Sequence, residues 1–194
     1  MQKQPMWGFK PSESAIIAKD FFVKNNIKDI LIPGIGYVRN AKVFIDNNIN
    51  VTGIEIWKTA IDLARQYGIN SVGDMPFEDK LYEGMFSYAL IHLLNESERK
   101  KFISDCYKQL KQDGYMIFTA VSKKASMFGK GKKLNESYYE TMEGVKIFFY
   151  DSESIKKEFE EYGLVEFSEI DEIDGNDKDK PPIKFLLIKC KKIV

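Results

Sequence analysis

Short apolar runs alternate with helix-forming stretches along most of the chain, and this alternation limits the fold more than any other feature. Residues 27–32 read as a strand, 41–47 as a helix, 51–56 as a strand, 59–67 as a helix closed by Gly68, and 69–72 as a brief third strand. The run Met85-Phe86-Ser87-Tyr88-Ala89-Leu90-Ile91 is nearly continuous in apolar residues, the pattern of a strand buried on both faces. A helix over 96–110, a turn at Asp113-Gly114 and a strand over 115–121 follow. Such rounds of strand then helix at short spacing imply a parallel sheet covered by helices on both faces. Right-handed crossovers narrow that to a doubly wound α/β sheet.

The ends of the chain read differently. Pro11-Ser12-Glu13-Ser14 opens an amphipathic helix, with Ser12 or Ser14 as N-cap and Ile16, Ile17, Phe21 and Phe22 on its buried side. Residues 122–144 are polar and basic, without periodicity, and read as a mobile loop or lid. A helix with Asp151 as N-cap runs to Tyr162. Two strands, 165–170 and 183–189, are joined by DEIDGNDKDKPP, too short for a crossover helix, so they pair antiparallel. The expected whole is one Rossmann-like domain over 1–194, with an N-terminal arm and helix (1–26), a lid or substrate loop (122–150) and a C-terminal antiparallel hairpin.

Length and composition agree with a single domain. The 194 residues suit one core, and 44% hydrophobic with 30% charged residues is a globular profile. Lys plus Arg and Asp plus Glu both number 29, so no basic excess advertises a nucleic acid or an anionic membrane. No apolar run approaches the roughly 20 residues of a membrane helix, and MQKQPMWGFKP has no secretory h-region. Cys106 and Cys190 form no metal-ligand spacing with the sole histidine, His92, so no metal site and a reducing, cytoplasmic setting are expected.

The segment LIPGIGYVRNA, residues 31–41, carries the first chemical signal. In open α/β sheets ligands bind beyond the carboxyl ends of the strands. Gly34 and Gly36 allow positive φ and close approach of a ligand to the backbone, and a helix starting near Val38 would offer unpaired amides. A dinucleotide fingerprint, G-x-G-x-x-G, would need a third glycine where Arg39 stands, which weakens that reading. Glu55, about twenty residues on, is an acceptor-only group suited to ribose hydroxyls. Asp74 and Met75, in SVGDMP after the third strand, suit an adenine edge, the acid accepting from the exocyclic amine and a backbone N–H donating to a ring nitrogen. Each feature alone is compatible with a plain turn. Together, at three successive strand ends, they point to a nucleoside.

Residues 27–121 resemble class I S-adenosylmethionine-dependent methyltransferases, most of all the small tellurite-resistance and thiopurine-type branch. Gly34, Gly36 and the sequence Arg39-Asn40-Ala41 match the first-strand motif, and VTGIEIWKTAIDLA, GDMPFED, YALIHLL and DGYMIF resemble the later ones. The resemblance implies a seven-stranded, mostly parallel sheet, S-adenosyl-L-methionine as cofactor, S-adenosyl-L-homocysteine as product, and a small-molecule acceptor. It assigns cofactor contacts to Gly34, Gly36, Tyr37, Arg39, Glu55, Ile56, Asp74, Met75 and Ala89. Two departures stand out. Ile32 occupies the place of the motif's acid, and Val38 that of its third glycine.

The implied reaction is in-line displacement at an already activated methyl, so proximity and alignment dominate, and a base is needed only for an acceptor that must lose a proton. Tyr37, Trp57, Tyr88 and Trp7 are aromatic candidates near a sulfonium. His92, just past the fourth strand, is the candidate base or, alternatively, a structural histidine. A fold that binds cofactor or partner without turnover is the alternative that Ile32 and Val38 raise, and a nicotinamide enzyme is a second.

Overall fold

The computed structural model describes residues 10–36, 38–55, 71–73 (backbone), 80–141, 144–173 and 181–193. Helix α1 spans Glu13–Lys24, strand β1 Asp29–Pro33, helix α2 Ala41–Ile45, strand β2 Asn50–Ile54 and strand β3 Ser71–Gly73. Strand β4, Tyr82–Ser87, leads through a 3₁₀ turn, Ile91–Leu93, to helix α3, Glu96–Lys108, and strand β5, Leu110–Val121. Short strands β6 (Lys132–Lys133), β7 (Tyr138–Glu140) and β8 (Lys146–Phe148) precede helix α4, Ser152–Phe159. Strands β9, Leu164–Glu172, and β10, Ile183–Lys191, complete the order.

The main sheet runs β3-β2-β1-β4-β5-β10-β9. Strands β1 to β5 pair in parallel, and β10 lies antiparallel between β5 and β9. Chain order reverses between β1 and β4, so the crevice at their carboxyl ends is where such sheets take ligands. The central strands are buried on both faces because helices cover both. On one face Ala15, Ala18 and Phe22 of α1 and Ala41 and Phe44 of α2 pack against Ile30, Ile32 and Phe86. On the other, Phe102, Ile103 and Cys106 of α3 and Ile155 and Phe159 of α4 pack against Leu31, Met85, Met116 and Phe118.

Local chemistry explains the helix starts. Ser12 caps α1, its hydroxyl accepting from the Ala15 N–H at 3.2 Å. Asn95 with Glu98, and Asp151 with Ser154, form capping boxes at α3 and α4. On α1, Ala15 and Ala18 are the buried residues alongside Phe22 and Ser14, whereas Ile16, Ile17 and Phe21 are only half-buried.

Two expectations from the sequence are corrected. The apolar run 85–91 does not continue as a strand: β4 stops at Ser87, and Ala89 takes φ +52°. Its N–H donates to the Thr119 hydroxyl on β5 at 2.8 Å instead of extending the ladder. The polar stretch 122–150 is not an irregular loop over its described residues. Strands β6, β7 and β8 form a small antiparallel sheet. Phe128, Tyr139 and Phe149 meet edge to face at 5.2–5.9 Å beneath it, with Val121, Ala125 and Ile147. The expected helix over 59–67 lies outside the described residues.

A buried ion pair joins the α3–α4 layer. Arg99 donates to Glu158 at 2.9 Å, and both side chains are less than a tenth exposed. Tyr150 donates its hydroxyl to Glu158 at 2.7 Å, a second Arg99 nitrogen donates to the Leu94 carbonyl, and the guanidinium sits 3.8 Å from the centre of the Phe148 ring. Every charge has partners, as burial demands.

Candidate active site

At the carboxyl ends of β1, β2 and β4 lies a cavity of about 660 Å³. Pro33 and Gly34 enter it from the end of β1, Ile54 and Glu55 from β2, Tyr88, Ala89 and Leu90 from the turn after β4, and Leu94 and Phe102 from the α3 side. Gly34, Glu55 and Ala89, singled out in the sequence from separate segments, therefore meet at one site. The volume is within the range for a small-molecule or cofactor pocket.

The first turn is organised from within. Gly34 and Ile35 both donate N–H to the Ile54 carbonyl, at 2.9 and 3.2 Å, and Gly36 donates to the Glu55 carboxylate at 2.9 Å. Val38 donates to the Ile35 carbonyl at 3.3 Å. The amides of the turn itself, those of Gly34, Ile35, Gly36 and Val38, are thus engaged, and the helix that follows, α2, starts at Ala41 and has only five residues. What the glycines provide is shape. Gly34, at φ +69°, would place a Cβ 3.1 Å from Leu90, so a side chain here would press into the cavity wall.

Ile32 and Val38 have a packing explanation. Both are 2% exposed and belong to the same apolar cluster as Ile35. A carboxylate at position 32 would sit in that cluster, at the cost of burying a charge. Val38 keeps the left-handed backbone that a glycine would take, φ +69°, an uncommon conformation for a β-branched residue. The turn's geometry is thus retained and an apolar plug holds it.

Other candidates fall elsewhere. Arg39 is not among the described residues lining the cavity. Its Nη1 donates to the Lys10 carbonyl at 3.1 Å, and its guanidinium lies 5.1 Å from the Tyr88 ring centre. Asn40 accepts from the Ser12 N–H at 2.9 Å and from the Ser12 hydroxyl at 3.1 Å. The Arg39-Asn40 pair thus anchors the segment leading into α1. His92 is buried beside Phe185, and its Nδ1 accepts from the Val121 N–H at 3.4 Å. Desolvation lowers its pKa to about 4, so it is neutral at pH 7 with the proton on Nε2. These are the surroundings of a structural histidine. Tyr37, Ile56, Asp74 and Met75, and the aromatic candidates Trp7 and Trp57, lie outside the described residues.

Sequence reasoning did not find Leu90, Leu94 or Phe102 as cavity walls, nor Thr119. Phe102 sits on the buried stripe of an amphipathic helix, a visible signal, but which end of that stripe borders a cavity is decided by the strands opposite.

Residues 31–118 match a family model described as a methyltransferase domain. Among curated proteins, none matches this chain. In three dimensions the chain is similar to the 1,6-didemethyltoxoflavin-N1-methyltransferase of Burkholderia thailandensis, whose structure holds 1,6-didemethyltoxoflavin and S-adenosylhomocysteine. That similarity has TM-score 0.71 at 12% identity, over 94% of this chain and 79% of the other. An S-adenosylmethionine-dependent methyltransferase from Methanosarcina mazei gives 0.72 at 16% identity, over 89% and 97%. TehB from Haemophilus influenzae gives 0.61 at 14%, over 89% and 60%. The fold is the Rossmann-like methyltransferase fold, and no helix among the described residues is long and apolar enough to cross a membrane.

Proposed function

We propose that the chain is an S-adenosyl-L-methionine-dependent methyltransferase acting on a small-molecule acceptor. One observation carries this reading: Gly34, Glu55 and Ala89 converge on one cavity at the point of chain reversal, with Glu55 tied to the glycine turn. The match of residues 31–118 to a methyltransferase domain model supports it. The acceptor class is supported by the bound small molecule in the Burkholderia thailandensis neighbour. The narrower tellurite-resistance and thiopurine-type branch rests on the sequence match at Gly34, Gly36 and Arg39-Asn40-Ala41, beside the lower TM-score of TehB.

The cavity suits this cofactor on its own chemistry. Glu55 supplies a carboxylate for ribose hydroxyls, Leu90, Leu94 and Phe102 supply apolar surface for an adenine ring, and Gly34 leaves the backbone bare beside them. When bound, the cofactor supplies an activated methyl group. The chain's own part is to hold donor and acceptor in line and to keep water out, which needs position more than acid–base groups. Tyr88 borders the cavity with its ring stacked on Phe185 at 6.1 Å, the rings 9° apart, and the Arg39 guanidinium 5.1 Å from its centre. Burial and a depressed pKa suit His92 to support and not to proton abstraction. The small sheet over 122–150 follows directly from β5 and is our candidate for the acceptor-side wall.

Since packing accounts for Ile32 and Val38, neither favours a non-catalytic protein. Calorimetric titration with S-adenosylmethionine, S-adenosylhomocysteine and NAD tests the proposal. Heat with the first two and none with NAD is the expected result. No heat with either sulfur ligand would overturn it, and binding of NAD alone would make the nicotinamide reading the better one.

A further inference from the structure

Resting on that cofactor reading, we propose that Arg99 is a positioning residue: together with Glu98 it clamps the Leu94–Asn95 peptide and so sets the apolar wall on which the cofactor's adenine packs.

Leu90, Leu93 and Leu94 line the cavity, yet the segment that carries them is a single 3₁₀ turn between β4 and α3. Within it the Leu93 N–H donates to the Leu90 carbonyl at 3.0 Å, and the Leu94 N–H to that of Ile91 at 3.2 Å. Those bonds shape the turn and do not fix its direction. Leu94 then takes an extended backbone, φ −88° and ψ 149°, before Asn95, the N-cap of α3. The first carbonyl that the helix uses is that of Asn95, which accepts from the Arg99 N–H at 2.9 Å. The Leu94 carbonyl therefore has no place in the helical ladder.

Side chains from the first turn of α3 hold that peptide at both of its polar groups. The Leu94 carbonyl accepts from Arg99 Nη1 at 3.1 Å, and the Asn95 N–H donates to the Glu98 carboxylate at 2.8 Å. A trans peptide is planar, so fixing its C=O and its N–H fixes its plane, and with it the direction of the wall. Arg99 is itself held. Its Nε and Nη2 donate to Glu158 of α4 at 3.1 and 2.9 Å, and its guanidinium lies over the Phe148 ring of β8. Three nitrogens in one plane, aimed at two fixed acceptors, suit a guanidinium and not an ammonium. Arg99 is 4% exposed and is not among the described residues lining the cavity, whereas Glu98 and Phe102 on the same helix are. It acts through Leu94.

The test sets binding against stability. Calorimetry measures S-adenosylhomocysteine and 5′-methylthioadenosine, which shares its adenine and ribose and lacks the amino acid. The proteins are wild type, Glu158→Gln, which leaves Arg99 its bond to Leu94, and the triple variant Arg99→Met, Glu158→Leu, Tyr150→Phe, which removes the polar set without stranding a charge. Urea midpoints should fall more for Glu158→Gln than for the triple variant. Affinities should run the other way: Glu158→Gln within about twofold of wild type, and the triple variant weaker by about fivefold or more, by a similar factor for both ligands. A purely structural role would give one order in both measurements. If the triple variant does not fold, Arg99→Lys replaces it, its one nitrogen going to Glu158 and leaving Leu94; if Glu158→Gln does not fold, Tyr150→Phe replaces it. A triple variant that binds both ligands like wild type overturns the proposal. So does Glu158→Gln losing as much affinity as the triple variant, or a loss confined to S-adenosylhomocysteine, which places the effect at the methionine end. Wild type that binds S-adenosylhomocysteine but not 5′-methylthioadenosine overturns it too, because the base then contributes too little. Wild type binding neither ligand overturns the cofactor reading itself, a result distinct from these.

Discussion

Gly36 donates its backbone N–H to a carboxylate oxygen of Glu55 at 2.9 Å, so the end of β2 fastens the turn that follows β1. The acid therefore has two tasks on our reading: it shapes the turn and it faces the cavity. Glu55→Ala removes both, and cofactor affinity should fall by at least about tenfold. Glu55→Gln keeps an oxygen that can accept from Gly36 but loses the charge, and should fall between alanine and wild type. Calorimetry with S-adenosylhomocysteine measures both. Equal losses for the two variants would show that only the charge matters.

Val38 adopts φ +69° while 2% exposed, so backbone strain and side-chain packing oppose each other at one residue. Left-handed strain costs about 1–3 kcal/mol, and burial of a valine contributes about 1.5–3 kcal/mol. Val38→Ala loses packing and keeps a Cβ in the strained region. Val38→Gly loses slightly more packing and relieves the strain. The glycine variant should therefore melt at or above the temperature of the alanine variant, the reverse of the order in a helix or strand. A glycine variant clearly less stable than alanine would mean that the strain is small.

Arg99 and Glu158 form an ion pair whose side chains are 5% and 7% exposed. Replacing Arg99 by Met leaves a buried carboxylate without its cation and should cost about 3–5 kcal/mol. Combining Arg99→Met with Glu158→Leu and Tyr150→Phe removes the whole polar set and should recover most of that loss. Urea denaturation midpoints measure each step. A triple variant as unstable as the single one would show that the network contributes specific stability beyond mutual neutralisation.

His92 has a pH signature with a defined sign. Burial lowers its pKa from 6.5 to about 4, so between those values the unfolded chain holds more protons than the native one. Stability from this residue is complete above pH 6.5 and is lost as pH falls toward 4, by about 3 kcal/mol. His92→Asn, with an amide oxygen near the Nδ1 position, should flatten stability over that window while leaving cofactor affinity near wild type. Denaturation curves at several pH values test the first point and calorimetry the second. A strong loss of binding would return His92 to the site.

The alternation of strands and helices could be read from the sequence because it arises from local periodicity: the central strands are apolar on both faces, and helices start at Ser12, Asn95 and Asp151 with their own capping groups. The antiparallel strands at the end were legible from a connection too short for a helix. Gly34 and Glu55 were visible because their types and their strand-end positions carry chemical meaning before any contact is known.

What the sequence could not show depends on partners far along the chain. Strand β4 stops at Ser87 within a nearly continuous apolar run, and Thr119, thirty residues later, takes the Ala89 amide in place of a ladder partner. The sheet over 122–150 has strands of two or three residues, too short for a period, and it rests on Phe128, Tyr139 and Phe149 meeting one another. Glu172 resembles its acidic neighbours on β9, yet it alone among them is buried, accepting from the Glu13 and Ser14 amides at the start of α1, at 3.0 Å each. Hydrophobic patterning and capping act over a few residues, so the sequence by itself determined which elements form and in what order. Burial, strain and hydrogen bonds between distant residues exist only after the elements pack. The tertiary structure therefore decided which walls complete the cavity that Gly34, Glu55 and Ala89 share, and where Arg39 and His92 lie, the first against the Lys10 carbonyl and the second against the Val121 N–H.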